Sequence, residues 1–418
     1  MIGYVGPFGD MNFGDYAMLV NDIMNINTKE GLLFTYNKAG VSAVIDEYFP
    51  TGDFNVIQVE VNDTYQPILG REYQVEFADE TYMPLDIVER IENSTDVKEQ
   101  LKRLDVLIVT GGGYFNKLWL ARHRLYKSLS IMGTILLANE IGIPIFFLGN
   151  TFGPFDDQSE TFRAFFSTLR NVKYASRDNY LSPSFMRSIG VSEEIEVIID
   201  DLYGVTSDLF SRKRSLDLPA KYIVIELSSS LVEMEDLTED IREFVDYFLE
   251  VHKIDVVFLP LDKEYGGEYQ MSHLIKENVK IKTVFNFEKN SFLPIEVALE
   301  VVSNAEFVIC QRYHLFLLAL NNKIPCMQIV KDVLGDSRYY YCKSYGLLKM
   351  LIDDTYGEDF ICKNVRHALK RVKNDFEEII KSMSSQLADV CKKEKLLHIE
   401  KMNYFKRILE RGEGRNNV

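Results

Sequence analysis

Short apolar runs of strand length alternate with longer amphipathic stretches along this 418-residue chain, and the alternation runs through twice. In the first half, "MIGYV" (1–5), "GLLFTY" (31–36), "NVIQVEV" (55–61), "DVLIVT" (105–110), "IPIFFLG" (143–149) and "VKYASR" (172–177) have strand length and composition. Helical patterns such as "DYAMLVNDIMNI" (15–26) and "SETFRAFFSTLR" (159–170) lie between them. Runs that are apolar on successive residues belong to strands buried on both faces, and helices between them supply the crossovers of a parallel sheet. The pattern breaks at "DLFSRKRSLDLPA" (208–220). It resumes with "KYIVIEL" (221–227), "IDVVFLPL" (254–261), "VKIKTVF" (279–285), "AEFVICQ" (305–311) and "IPCMQIV" (324–330). The expectation is an α/β chain of two doubly wound domains, residues 1–207 and 221–350, facing across a cleft. A charged, helical C-terminal tail, 351–418, follows and packs partly back on the domains.

Charge narrows the partners. The net charge of -16 argues against a general nucleic-acid binder, which needs a basic face to displace counterions. Residues 363–418 carry 14 Lys/Arg against 8 Asp/Glu, a surplus of +6, so residues 1–362 carry -22. That basic tail suits peripheral contact with anionic headgroups or a lipid-pyrophosphate acceptor; solvated helix faces are the blander reading. Cys310, Cys326, Cys342, Cys362 and Cys391 form no C-x-x-C pair, so neither a zinc site nor a disulfide framework is signalled, and reduced thiols in the cytosol are expected. "MIGYVGPFGD" lacks the basic and apolar regions of a signal peptide. The apolar stretch 129–149 is interrupted by Asn139, Glu140 and Pro144, and reads as a buried helix, a turn and a buried strand rather than a membrane span.

In doubly wound sheets ligands bind beyond the carboxyl ends of the strands, so the strand-to-helix loops are the places to search. "GPFGDMNFGDYAM" (6–18), with Asn12, Gly14 and Asp15, is glycine-rich and opens a helix. Such a junction offers amides to an anion, although Asp15 equally suits a plain N-cap. It matches neither G-x-G-x-x-G nor the Walker pattern. "TGGGYFN" (110–116) places Gly111, Gly112 and Gly113 at a strand end, where bare amides approach a ligand or simply turn; His123 and Arg124 follow as surface polar groups. "LGNTFGPF" (148–155) offers Asn150 and Thr151 as neutral partners for sugar hydroxyls. "ASRDNYLS" (175–182) ends a strand on Arg177, with Asp178 as a helix cap. Arg177 is a carboxylate or phosphate fork, or one half of a structural ion pair.

The fifth loop is the seam in "VICQRYHLFLLALNNKIPCM" (308–327). Arg312 and His314 stand between a buried strand and an apolar helix, two apart on what reads as an extended segment, so that both point to one side. An Arg there holds an anion, and a His exchanges a proton near neutral pH.

The order N-F-G-D, G-G-G, G-P-F, S-R-D and R-Y-H, with Pro325 following, resembles the polysaccharide pyruvyl transferase family over about residues 1–345. The resemblance implies a glycosyltransferase-B-type architecture with phosphoenolpyruvate as co-substrate and neither cofactor nor metal. It implies a cytoplasmic enzyme, at most at the inner face of the membrane. That enzyme builds a cyclic pyruvate ketal on two hydroxyls of a glycan, lipid-linked or free, and releases phosphate. Under it, His314 is the general acid and Arg312 and Arg177 clamp the carboxylate and phosphate of the donor. A further Lys that many members carry has no counterpart at the expected spacing; Lys331, Arg338 and Lys343 are the candidates, Arg338 the nearest. The rival readings are a nucleotide-sugar glycosyltransferase, with an acidic residue of "PLDKEYGG" (260–267) on the ribose, and a non-catalytic sugar- or anion-binding protein.

Overall fold

A computed structural model describes residues 1–62, 76–77, 80–210, 216–263, 266–288, 290–330, 336–352 and 357–413. The chain divides into two compact units, Met1–Asp201 with Leu397–Val418, and Leu202–Leu396.

The first unit is wound on strands β1 (Ile2–Val5), β2 (Glu30–Thr35), β3 (Asp53–Gln58), β4 (Val106–Val109), β5 (Gly112–Phe115), β6 (Ile145–Phe152), β7 (Val172–Ser176) and β8 (Ile195–Val197). They pair in parallel in the order β3-β2-β1-β4-β6-β7-β8, with β5 also on β6. Its helices are α1 (Phe13–Ile26), α2 (Lys38–Tyr48), α3 (Pro84–Glu89), α4 (Ser94–Leu101), α5 (Leu125–Ile141), α6 (Ser159–Thr168) and α7 (Ser182–Ser188). Helix α5 is apolar nearly all round and correspondingly buried from Ser128 to Ala138; Gly142, at φ 84°, supplies the left-handed residue that ends it. Beneath β5–β7 the core is aromatic: Phe115 lies 5.4 Å from Phe147 and 5.9 Å from Phe152, and Tyr174 lies 4.9 Å from Phe147, centroid to centroid. Each such ring fully withdrawn from water contributes about 1.5–3 kcal/mol.

The second unit is wound on β9 (Tyr222–Glu226), β10 (Asp255–Phe258), β11 (Lys282–Thr283), β12 (Phe307–Cys310), β13 (Cys326–Ile329) and β14 (Ile361–Cys362). All are parallel, in the order β11-β10-β9-β12-β13-β14. The expected strand at 279–285 shrinks to Lys282 and Thr283 of β11, an exposed pair at the edge of the sheet where polar side chains remain in water. The helices are α8 (Leu231–Tyr247), α9 (Glu268–Lys276), α10 (Ile295–Ser303), α11 (Tyr313–Asn321), α12 (Arg338–Leu351), α13 (Val365–Asp389) and α14 (Cys391–Glu413). Helix α14 starts in the second unit and ends in the first.

The basic tail spends much of its charge on the protein's own acids. Arg366 pairs with Asp240 at 2.7 Å and Arg371 with Asp359 at 2.8 Å, while Arg407 pairs with Glu196. Among the described residues no helix is long and apolar enough to cross a membrane.

Candidate functional site

Each sheet has a point where the strand order reverses, and the loops on either side of it run apart and leave a crevice. In the first unit that point lies between β1 and β4, so both glycine loops open from it. They touch: a Cβ on Gly6 would collide with Thr110 Oγ1. Helix α1 begins at Phe13, with Asn12 at its N-cap position, and the Asn12 carbonyl accepts the Asp15 N–H at 3.0 Å. Asp15 is therefore not the N-cap; it lies with Gly14 in the first turn, buried.

Gly112 and Gly113 are not loop residues but the start of β5, with Gly112 at φ 136°. Gly111 has a steric reason to be glycine. A Cβ there would run into the Asp201 carboxylate, and one on Gly149 would lie 3.0 Å from it. Asn150 and Thr151, expected in a loop, are buried in β6. The Asn150 amide donates to the Thr110 carbonyl at 2.9 Å and to the Tyr114 hydroxyl at 3.2 Å, while its Oδ1 is buried with no partner among the described residues. Its donor end therefore ties the end of β4 to β6 and is spent within the protein, not open to the sugar hydroxyls the sequence suggested.

Arg177 follows β7 directly and is 1% exposed. Its Nη1 meets Asp200 Oδ2 at 2.5 Å, its Nε donates to Thr151 Oγ1 at 3.0 Å, and Nη1 lies 3.7 Å from the Met18 sulfur. The structural ion pair is thus what the chain builds at this position, instead of an open fork. Asp178 accepts from the backbone of Tyr180, Leu181 and Ser182, four residues ahead of α7, and so caps the turn that leads into the helix.

Below this lies a charge cluster that the sequence reading missed. Asp22, Asp200, Asp201 and Lys401 are all buried. Lys401, from α14, donates to the Asp201 carbonyl at 3.2 Å. Burial first, and then neighbouring carboxylates, push the Asp22 and Asp201 carboxyls well above the usual range. Burial pulls the Lys401 ammonium down against the opposing pull of the three aspartates. The signal for Asp200 and Asp201 was present, since they follow the apolar end of the run "IEVII" (195–199), just beyond β8. Nothing local marks Lys401. At the edge of the same unit, burial and then Arg124 and Lys127 lower half-buried His123 to about 4.

In the second unit the order reverses between β9 and β12. Gln311, Arg312, Tyr313 and His314 leave β12 there. Arg312 holds the extended N-cap position of α11, at φ -78° and ψ 128°, and His314 is already in the helix, so the two are not on one extended segment. Glu226 is the missed residue here: the acid ending an apolar run is fully buried, and its Oε2 accepts the N–H groups of Gln311 at 2.9 Å and Arg312 at 2.7 Å. A carboxylate at that place neutralises the first amides of α11 and fixes the angle at which the helix leaves the sheet. His314 is 9% exposed, with the Tyr313 ring 5.1 Å away. The Arg312 side chain stays 24% exposed, and Asp262 lies 3.9 Å from its Nη2. Asp262 is one of the two acidic residues of "PLDKEYGG", and it faces the guanidinium; the other, Glu264, lies outside the described residues.

Arg338 opens α12 and is chelated by Asp336, Nε to Oδ1 at 3.0 Å and Nη2 to Oδ2 at 2.7 Å. Lys331 lies outside the described residues. Among the described residues no cluster of His, Cys, Asp or Glu is arranged to hold a metal.

Several solved structures share this architecture at low identity. The UDP-GlcNAc 2-epimerase of Neisseria meningitidis bound to UDP-GlcNAc aligns at TM-score 0.53 and 10% identity, over 96% of this chain and 98% of that one. The epimerase of Methanocaldococcus jannaschii gives 0.52 and 12%, over 92% of each chain. A UDP-glucosyltransferase of Polygonum tinctorium gives 0.51 and 10%, over 99% and 98%. These likenesses show the fold, which is of the glycosyltransferase-B type. No curated protein matches the sequence. The polysaccharide pyruvyl transferase family model matches residues 12–329, a span that runs from the N-cap of α1 to the end of β13 and so takes in both crevices. The chain belongs to that family.

Proposed function

We propose that the protein transfers pyruvate from phosphoenolpyruvate to two hydroxyls of a sugar unit in a polysaccharide or its precursor, forming a cyclic ketal. The observation that carries this reading is the seam after β12. A partly exposed Arg312 guanidinium and a nearly buried His314 follow one another at the switch point of the second sheet, on a junction pinned by Glu226. Apolar β12 and α11 flank them, which strengthens electrostatics at the junction.

The chemistry asks for these two groups. His314 donates a proton to the methylene carbon of the donor, turning CH2 into CH3, while a sugar hydroxyl bonds to the adjacent carbon. The second hydroxyl then bonds to that carbon as the C–O bond to phosphate breaks. Of the two hydroxyl protons released, one replaces the proton His314 gave and the other leaves with phosphate. Arg312 holds the donor's carboxylate or phosphate as a charge-assisted fork. Arg177, locked to Asp200 and Thr151, contributes by holding β6 and β7 in place around the glycine loops of the first unit. Lys331 and Arg338 are candidates for the second cation, Arg338 after release from Asp336. The acceptor glycan is free or lipid-linked, the latter reached through the basic C-terminal helices.

The test is donor binding. Thermal shifts with phosphoenolpyruvate, UDP-sugars and GDP-sugars are compared in the wild type and Arg312→Ala. Stabilisation by phosphoenolpyruvate that the variant loses supports the reading. Stabilisation by a nucleotide sugar alone replaces it with the glycosyltransferase.

A further inference from the structure

Between Asp105 and Glu140 the chain carries no Asp or Glu but four cations, Lys117, Arg122, Arg124 and Lys127. Residues 1–201 together hold 29 Asp/Glu against 16 Lys/Arg, a charge of -13, so this run is a cationic island in an acidic stretch. It contains His123 and Arg124, to which pyruvyl transfer has given no task. We propose that Arg122 and Arg124 bind an oxyanion carried by the acceptor glycan, at the rim of the first unit's crevice.

The island is held in place. Arg122–Arg124 form one turn of 3-10 helix ahead of α5. The Arg122 N–H donates to the Glu76 carbonyl at 2.9 Å, and the Arg124 N–H to the Ala121 carbonyl at 2.8 Å. Just beyond, Lys127 pairs with Asp10 at 2.5 Å, and Asp10 belongs to the turn Pro7–Asp10 that leaves β1. The Tyr36 hydroxyl donates to the same carboxylate at 2.9 Å. These bonds fasten the start of α5 to the first glycine loop, which opens at the switch point between β1 and β4.

The two arginines are the cations left over. Lys117 is matched by Asp157 at 2.9 Å and Lys127 by Asp10, whereas Arg122 and Arg124 have no acidic partner among the described residues. Arg122 is exposed and Arg124 half-buried. The Arg124 guanidinium lies over Trp119, 5.8 Å from the ring centroid, which supports its flat face and leaves its N–H edge for a ligand. Like charges gathered this closely repel, so the pair gives the fold no stability of its own, and an anion between them relieves the repulsion. His123 registers the field, since Arg124 and Lys127 add to burial in lowering its ring. A neutral imidazole there supplies a hydrogen-bonding group without a further charge.

A guanidinium edge fits carboxylate and phosphate alike. The carboxylate of an acidic sugar and the pyrophosphate of a lipid-linked precursor are the two sources, and either one rests on the pyruvyl-transfer reading for its acceptor. Calorimetric titration with glucuronate and with inorganic pyrophosphate tests the site, on the full chain carrying Arg312→Ala so that the Arg312 clamp is silent. Binding should weaken about tenfold on adding Arg122→Gln or Arg124→Gln. Lys173→Gln, at an exposed cation on β7, should leave it unchanged. Preference for glucuronate assigns the site to an acidic sugar, and preference for pyrophosphate to the lipid linkage. No binding of either at about 10 mM, or a loss no greater in the arginine variants than in Lys173→Gln, overturns the inference. If phosphoenolpyruvate leaves the wild type unstabilised while this binding still needs Arg122 and Arg124, the pyruvyl-transfer reading falls and the anion site stands.

Discussion

Glu226 Oε2 accepts the Arg312 N–H at 2.7 Å across 86 residues of sequence, so the end of one strand sets the geometry of the loop leaving its neighbour. Glu226→Ala removes the side-chain acceptor of both amides; the Gln311 N–H keeps the Glu226 carbonyl at 3.2 Å, so the loss falls on the Arg312 N–H. The expected loss is about 1–3 kcal/mol of stability, from one donor left without its acceptor. Urea denaturation measures that loss. Phosphoenolpyruvate affinity should fall with it even in the folded fraction, because Arg312 is no longer aimed.

His314→Gln should leave phosphoenolpyruvate binding within about twofold and lower turnover by about 10²–10⁴, the usual contribution of a general acid. A binding isotherm beside an assay of phosphate release separates the two effects. Full activity in this variant would remove His314 from the mechanism.

Arg177 and Asp200 form a buried pair, so either one alone is costly to remove. Arg177→Met should cost about 3–5 kcal/mol, since it strands an unpaired carboxylate, and Asp200→Leu a similar amount. The double variant should cost clearly less than the sum. Arg177→Lys should not rescue, because one ammonium cannot meet Thr151 and Asp200 with the geometry of the fork. A double-mutant cycle by denaturant unfolding reads all three.

The aspartates around Lys401 give stability a direction with pH. The folded-state values of Asp22 and Asp201 are raised above their unfolded value near 3.9, so the folded state holds protons that the unfolded state has released. Their contribution is fully present below about pH 4 and is lost as pH rises through the raised values. Lys401→Met removes the cation that offsets this loss, so it should destabilise the protein more at pH 8 than at pH 5. Unfolding free energies at the two pH values check the sign, and an equal penalty at both would refute it.

His123 should remain neutral at pH 7. Its value of about 4 predicts that its ring proton resonances titrate well below those of an exposed histidine near 6.5. Whatever stability this neutral ring contributes is present above about 6.5 and is lost as pH falls toward the folded value. NMR titration against His123→Asn assigns the resonance.

The strands and both crevices were legible because the sheets are parallel and largely buried: β1, β4 and β12 appear as unbroken apolar runs, and β6, β7, β9 and β13 as runs with one or two polar residues. Their carboxyl ends point to Gly111, Arg177 and Arg312 without any knowledge of partners. What those residues touch was not legible. Asn150 and Thr151 looked like loop residues because Gly149 and Gly153 flank them, yet both glycines have positive φ beside a continuing strand. Asp200 and Arg177 lie 23 residues apart, and Lys401 meets Asp201 across 200; contacts at such distances leave no periodicity to read. Arg312 and His314 looked set to one side because the segment joining them reads as extended, whereas α11 starts at Tyr313; Glu226, which pins that junction, acts from another strand.

Lys401 and Tyr404, whose hydroxyl donates to the Phe147 carbonyl at 2.9 Å, arrive on α14. On the ribosome, then, Asp200 and Asp201 emerge about 200 residues before their counter-cation is made. The first unit must wait in an unfinished form until α14 follows. A stop codon anywhere before Lys401 would therefore damage the opening half of the protein, whose own coding sequence is intact.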